Sequence, residues 1–404
     1  MRTFIFIILL AIAAVLYILV LPQVLNERNF KTFNDEELRQ RALHRGMLPI
    51  PENYEELLKI VDTKENPLSL EKVLLGKKLF FDKSLSKTNE ISCSSCHFIK
   101  EEQTKKQTLL TSISKKTDNT TCVACHLEEQ SGTDRLETAI GIDGITSPWN
   151  LNTSTVLNAS LAKYLTWTGD VTSLEEHVKN TLHSKYKMHT NTKEIEEKIN
   201  SDEKYVSLFS KVFNTTQRVS EEQIIKALAS YTRTLVTRGS YDRFLEGDDN
   251  AISQKAKNGL TNFLNFGCKG CHTGMSVGGQ NLQKFPLRSF ATIYDLRINV
   301  SFYPEFKILD TSFPFVNKGD FLGQDITNKF RVPILRNVTK TSPYFHNGSV
   351  AKIDEAVDIM AKHQLGINLT PQQRDEIVAF LKTLEGDIVQ YDEIYNKGAN
   401  NENN

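Results

Sequence analysis

Apolar residues recur at helical spacing in several stretches of the chain, and no stretch forms a convincing block of alternating strands. Ser69 is placed to cap a helix whose Leu70, Val73, Leu74, Leu79 and Phe80 share one face. Ser220 and Gln223 form a capping box before Ile224, Ile225, Leu228 and Leu235. A third helix is predicted from Ser253 to Phe266, ending at Gly267. A fourth starts at Thr370-Pro371-Gln372-Gln373, carries Ile377, Phe380, Leu381 and Leu384, and is stopped by Gly386. The pattern predicts a mainly α protein.

Between these elements the texture changes. Residues 3–20 are almost all apolar, with Arg2 before them and no charge until Glu27, long enough for one membrane-spanning helix. No small-x-small cleavage site follows, so an uncleaved anchor is favoured over a removed signal, with the remainder exported to the periplasm. Residues 23–68 are polar and carry Pro49, Pro51 and Pro67, which reads as an arm. Residues 132–158 read as loop, and the charged, glycine-containing stretch 238–250 reads as a boundary. The expected organisation is an anchor or signal over 1–22, a polar arm over 23–68, an N-terminal domain over 69–240, a C-terminal domain over 241–390 and a disordered tail over 391–404. Lys plus Arg and Asp plus Glu number 49 each and are scattered, so no nucleic-acid surface is indicated.

The six cysteines carry the chemistry. They form Cys93-Ser-Ser-Cys96-His97, Cys122-Val-Ala-Cys125-His126 and Cys268-Lys-Gly-Cys271-His272. Two thiols three positions apart can each add to one vinyl group of a haem, and the following histidine then faces the iron. Zinc or a redox dithiol would use the cysteine pairs but needs no adjoining histidine. Three covalent c-type haems account for every cysteine. The first two sites also resemble a repeat: the runs from Cys93 and Cys122 end in Leu-Thr-Ser-Ile-Ser and Leu-Glu-Thr-Ala-Ile-Gly, and His97 and His126 stand 29 positions apart.

Further runs give the chain a resemblance to the bacterial dihaem cytochrome c peroxidases over roughly residues 66–390. They are Leu75-Gly-Lys-Lys-Leu-Phe-Phe-Asp82, Gly132-Thr-Asp-Arg-Leu-Glu-Thr-Ala-Ile-Gly141, Thr155-Val-Leu-Asn-Ala159, Phe244-Leu-Glu-Gly247, Val332-Pro-Ile-Leu-Arg-Asn-Val338 and Pro343-Tyr-Phe-His-Asn-Gly348. The resemblance implies two cytochrome-c-like haem domains with long loops and an electron path between them. Electrons from a small c-type cytochrome or a quinol-linked donor would enter at the C-terminal haem, held by His272 and, distally, Met360. A thioether raises the iron's potential, which suits that role; without the resemblance, Met360 is an ordinary core methionine and Met275 an equal candidate. Trp167 falls at the family's tryptophan between the haems. Asn152, Thr341 and Pro343 match residues that bind a bridging Ca2+, partly through carbonyls. A homodimer is also consistent with the resemblance.

The chain departs from the family in ways that bear on activity. An insertion of about 29 residues supplies the third haem motif, and either His97 or His126 could hold the peroxide-side haem. The intact spacing from His126 to Ile140-Gly141 favours His126. Ile142 stands where many members carry a blocking histidine, His177 where they carry a glutamine, and Lys187 where they carry a glutamate. Peroxide cleavage needs a group that moves a proton from one oxygen to the other. Lysine serves only if burial removes its charge. His177 has three readings: acid–base residue, iron ligand, or solvent-facing helix residue. His183 and His189 are alternatives, His44 could cap the added haem, and His346 would contact a haem edge.

Three functions compete. A peroxidase converting hydrogen peroxide to water needs an open iron and accounts for the whole scaffold. A non-catalytic triheme electron-transfer or redox-sensing cytochrome would have every iron six-coordinate. An oxidase of a protein partner, like the dihaem enzymes that mature a tryptophan-derived cofactor, is disfavoured by Met360, which those relatives replace with tyrosine. The peroxidase reading is preferred.

Overall fold

Ser69 accepts a hydrogen bond from the Lys72 N–H at 3.3 Å and so opens the helix Leu70–Phe80, as its sequence predicts. The computed structural model describes residues 32–99, 131–287 and 313–389. From Asp35 the chain forms one compact unit. The apolar segment 3–20, the second haem motif and the tail 391–404 lie outside the described residues. No described helix is long and apolar enough to cross a membrane.

The architecture is mainly helical, and two helix crossings organise it. Helix Glu221–Thr234 is buried along nearly its whole length and packs on Leu70–Phe80. They touch at Gly76, where an added Cβ would sit 2.0 Å from the Ala227 carbonyl oxygen. Helix Gln254–Phe266 meets Pro371–Thr383 in the same manner, and a Cβ on Gly259 would sit 1.8 Å from the Glu376 carbonyl oxygen. Each crossing therefore needs a residue without a side chain. Around the first gather the apolar faces of Leu174–His183, Thr192–Asn200 and Glu203–Phe213.

Strands are few among the described residues. Thr237–Gly239 pairs antiparallel with Gly386–Ile388, and Leu282–Lys284 with Lys329–Arg331. Gly386 thus does not stop the last helix, which ends at Thr383. It opens a strand lying so close to Arg238 that a Cβ would meet that residue's carbonyl oxygen at 2.3 Å.

Two stretches that look peripheral in sequence are interior. Within the polar region 35–68, helices Asp35–Leu43 and Tyr54–Val61 bury Leu38, Ala42 and Leu57, and the turn between them buries Met47 and Ile50. Few apolar residues are enough to seat a short helix when all of them face the core. The charged stretch after Arg238 forms helix Ser240–Leu245, whose Asp242 is fully buried against Arg336 with bonds of 2.7 and 2.9 Å. The Ile50 and Gly239 N–H groups complete the carboxylate's shell, each at 2.8 Å. Pairing this complete offsets the cost of burying both charges.

Candidate haem and peroxide sites

The first motif forms a single helical turn, Cys93–Cys96, with Ser92 and Ser95 as a reciprocal capping box. The turn closes through the His97 N–H, which donates to the Cys93 carbonyl at 2.9 Å. The third motif repeats this arrangement. After Gly267, which ends the preceding helix with φ +104°, Cys268–Gly270 makes a tight turn and the His272 N–H donates to Cys268 at 3.0 Å. The two sites present thiols and imidazole in the same order with the same backbone closure.

At the third motif, Cys268, Cys271, His272 and Met360 line one predominantly apolar cavity of about 230 Å³. Met360 ends helix Ile353–Met360 and enters a wide π-type turn, Ala361–Leu365. Such turns re-aim side chains at functional sites. Met275 packs instead against the cluster of Ile50, Tyr54 and Leu57, so only Met360 shares the cavity with His272. Burial lowers the His272 imidazole to about 4, opposed in part by the backbone of Val277 and Pro333, and raises the Cys268 thiol to about 12. Two un-ionised thiols, a neutral imidazole and a thioether in one apolar crevice would suit a c-type haem.

The same cavity holds Trp167, His346 and the three expected calcium residues. The Trp167 Nε1–H donates to the Asn152 carbonyl at 2.9 Å. His346 is 3% exposed, stacks on Phe330 with centroids 4.8 Å apart, and has Nε2 2.7 Å from Asn317 Oδ1. Burial lowers it to about 4. Asn152 donates from Nδ2 to Leu136 at 2.6 Å and from its backbone to His346 at 2.8 Å. Thr341 and Pro343 add neutral oxygens to the same wall, and no described cluster of three His, Cys, Asp or Glu residues supplies a charged metal site.

At the first motif, the His97 Nδ1 lies 3.1 Å from the Gly132 carbonyl oxygen, and the Gly132 N–H donates to Phe98 at 2.9 Å. Burial, offset by the Gly132 carbonyl and reinforced by Lys187, lowers His97 to about 4. A neutral ring whose Nδ1–H is engaged leaves the Nε2 lone pair free for a metal. Burial also lifts the Cys93 and Cys96 thiols to about 12. This donor set fits a second c-type haem.

His177 and Lys187 lie within electrostatic reach of that site and of each other. Burial lowers His177 to about 3, and the charges of Lys187, His97 and Arg331 act in the same direction against the opposing Asp170. Lys187 is lowered by burial, opposed by Cys96 and Asp170. Its side chain keeps an exposed surface. Helix Leu174–His183 carries His177, and a backbone bond of 3.1 Å from the Ile142 N–H to the Lys187 carbonyl fixes the opposite strand of chain. The Ile142 side chain is 1% exposed and belongs to the protein interior.

Two further histidines are engaged elsewhere. His183 Nε2 lies 2.6 Å from the buried Glu221 carboxylate, which also accepts from Thr192 Oγ1 at 2.9 Å. His44 Nδ1 lies 2.8 Å from the Gln40 carbonyl of its own helix. Cys122, Cys125 and His126 are outside the described residues.

Three side chains near these sites escape sequence reasoning. Asp134 lies beside Cys96, and burial raises it to about 6. Asp170, bonded to Thr166 and Thr168, is the carboxylate acting on both His177 and Lys187. Arg331 is 4% exposed, lies over the Trp167 ring and lines the His272 cavity. An arginine between Phe330 and Val332, in an otherwise apolar run, was the signal available for it.

Comparison with known proteins agrees with this layout. The family model described as di-haem cytochrome c peroxidase matches residues 70–119 and 111–250. A cytochrome c551 peroxidase of Nitrosomonas europaea is 35% identical over 316 residues, 78% of this chain and 79% of the relative. One of Pseudomonas aeruginosa is 32% identical over 343 residues, 84% of each chain. A methylamine utilization protein MauG of Methylophilus methylotrophus is 26% identical over 84% of this chain and 90% of its own. Two solved structures share the fold. A MauG-like protein associated with microbial copper homeostasis has a TM-score of 0.61 at 24% identity, covering 81% of this chain and 93% of that one. The diheme peroxidase BthA of Burkholderia thailandensis has a TM-score of 0.55 at 16% identity, covering 80% and 88%. Two paired-cysteine haem turns on this fold, with relatives above 30% identity spanning most of both chains, establish that the chain belongs to the di-haem cytochrome c peroxidase family.

Proposed function

We propose that the protein reduces hydrogen peroxide to water, with electrons entering at the haem of Cys268, Cys271 and His272 and reaching peroxide at the haem of Cys93, Cys96 and His97. The observation that supports this reading is the clustering of His177 and Lys187 with the first motif: the charges of Lys187 and His97 act on His177, and that of Cys96 acts on Lys187. A haem held at each motif would supply an iron that exchanges single electrons with peroxide or with a donor. The protein supplies the rest. His177, held neutral, accepts a proton from the near oxygen and returns it to the far one, while Lys187 offers charge and hydrogen bonds to the departing oxygen. Two protons and two electrons thereby convert one peroxide into two waters.

His97 rather than His126 is the proximal residue in this reading. The Gly132 N–H donates to Phe98 and the Gly132 carbonyl stands beside His97, which supports the first motif as the one seated in the described framework. The third haem, on Cys122, Cys125 and His126, is an added electron relay. The two lobes correspond to residues 69–240 and 241–390. The location is periplasmic, with residues 3–20 as an inner-membrane anchor. The donor is a small c-type cytochrome or a quinol-linked carrier, and the assembly is a homodimer. Asn152, Thr341 and Pro343 offer only neutral oxygens, which suits a hydrated Ca2+ bound without protein charge.

The test is rapid mixing of the fully oxidised, haem-loaded protein with peroxide and, separately, with cyanide. The reading expects an immediate spectral change with each and peroxide-dependent oxidation of a reduced c-type cytochrome. A protein that stays low-spin and inert in every redox state is the electron-transfer cytochrome instead, with His177 as an iron ligand.

A further inference from the structure

The His272 cavity contains one charged side chain other than histidine among its described lining, and that charge has no ionic partner. Arg331 is 4% exposed and forms no salt bridge among the described residues. Its guanidinium is met by neutral groups only: Nε donates to the Thr166 carbonyl at 3.2 Å and one Nη donates to Ser154 Oγ at 3.0 Å. Its backbone N–H donates to the Trp167 carbonyl at 2.9 Å, and its guanidinium carbon lies 5.5 Å from the Trp167 ring centre. Burial lowers the group only to about 10, so it stays a cation at neutral pH.

A buried cation without a counterion is costly, and two other buried arginines among the described residues each have one. Arg336 has Asp242, and Arg233 has Glu175. The second Nη of Arg331 takes no partner among the described residues and is not sealed away from the cavity. A planar fork of this kind matches a carboxylate. The haem that the cysteine motif calls for carries two of them.

We propose that Arg331 binds a propionate carboxylate of the haem attached at Cys268 and Cys271, neutralising it and thereby raising that haem's midpoint potential while clamping Trp167 against the cavity wall. Arg331 is a positioning residue in this scheme. An anion left unpaired beside an iron favours the ferric state, so pairing it favours reduction, as an electron-entry haem requires. A paired carboxylate also stays ionised over a wide pH range, whereas an unpaired buried one takes up a proton near neutrality.

The inference rests on a haem occupying this cavity, so haem content is determined first, by mass spectrometry of the holoprotein and its Arg331→Met, Arg331→Gln and Arg331→Lys variants. Wild-type protein lacking a haem at Cys268 and Cys271 overturns the site assignment itself. With haem in place, potentiometric titration from pH 5 to 8 decides the role of Arg331. Arg331→Met and Arg331→Gln are expected to lower the potential of the His272 haem and make it vary with pH. Arg331→Lys is expected to stay close to wild type. Potentials that superpose for wild type and the neutral variants at every pH overturn the inference. If the neutral variants do not fold with haem, an Arg331→Lys protein whose potential falls and becomes pH-dependent overturns it equally, because the charge is retained.

Discussion

The imidazole Nδ1 of His97 lies 3.1 Å from the carbonyl oxygen of Gly132, a residue 35 positions further along the chain. The Gly132 N–H returns to Phe98 at 2.9 Å, and its carbonyl also accepts from the Val156 N–H at 2.9 Å. These bonds tie His97 directly to the described framework, which supports its proposed place at the peroxide-side haem. His97→Ala is accordingly expected to abolish peroxide turnover, whereas His126→Ala is expected to leave reaction with peroxide intact and slow only delivery of electrons. Single-turnover kinetics on pre-reduced protein separate the two steps. Loss of the peroxide reaction in the His126 variant alone would reverse the assignment.

Met360 and His272 share a cavity from which Met275 is absent. Replacing the thioether with a non-ligating side chain, as in Met360→Ala, removes a ligand that raises the haem's potential. The potential of the C-terminal haem is expected to drop, and electron uptake from a cytochrome donor to slow, while Met275→Leu changes neither. Potentiometry with an optical readout checks this. An unchanged potential in Met360→Ala means that another residue ligates the iron.

Gly76 and Gly259 allow two helix crossings at contact distances that no side chain permits. An alanine Cβ would have to stand 2.0 Å from Ala227 O or 1.8 Å from Glu376 O, both of them backbone atoms that cannot rotate away. Each Gly→Ala substitution is expected to cost stability at or beyond the upper end of the ~1–3 kcal/mol typical of overpacking. Urea unfolding of the two variants measures it. A midpoint within error of wild type at either site means that the crossing can open.

His346 provides a test of acid stability. In the unfolded chain it titrates near 6.5, and burial lowers it to about 4 in the folded protein. Between those values the unfolded state binds the proton and the folded state does not, so stability falls as pH drops through that window. At ~1.4 kcal/mol per unit, the loss approaches about 3 kcal/mol by pH 4. Asp134, raised to about 6, works in the opposite sense over the same range, so the comparison must be between variants. His346→Gln keeps a polar partner for Asn317 and cannot titrate. Its unfolding free energy is expected to vary less steeply from pH 6.5 to 4 than that of wild type, and parallel slopes would remove His346 from the acid response.

Legibility in the sequence followed the range of the interactions. The Ser69, Ser220 and Thr370 caps were readable because a cap is local, and all three occur. The cysteine turns were readable because thiol and imidazole spacing is dictated by the haem itself. Met360 became distinguishable from Met275 only through a family likeness, since both are apolar helix-compatible residues and only the cavity separates them. The burial of residues 35–61 was hidden because its helices are short and bury only scattered apolar residues. Asp170 and Arg331 were hidden for a different reason. The meaning of a charge depends on the groups that face it, and those come from segments up to 177 positions away.

The departures from the family on the distal side yield a prediction with a definite sign. His177 is neutral because burial disfavours its charge and the neighbouring cations Lys187 and Arg331 repel a proton. Catalysis by the neutral imidazole should therefore fail on the acid side only as pH approaches about 3, and the rate of reaction with peroxide should be flat through mildly acid pH. Lys187→Glu replaces a repelling cation with an attracting anion, so the His177 pKa should rise and bring the acid limb up toward the ordinary histidine range. Asp170→Asn removes an attraction and should shift the limb the other way. His177→Ala should lose about 10²-fold or more, the usual contribution of a positioned acid–base group. Stopped-flow measurement of the peroxide reaction across pH for these four proteins checks every step. A Lys187→Glu limb that stays where wild type has it, together with full activity in His177→Ala, would leave proton transfer to solvent and reduce His177 to a packing residue.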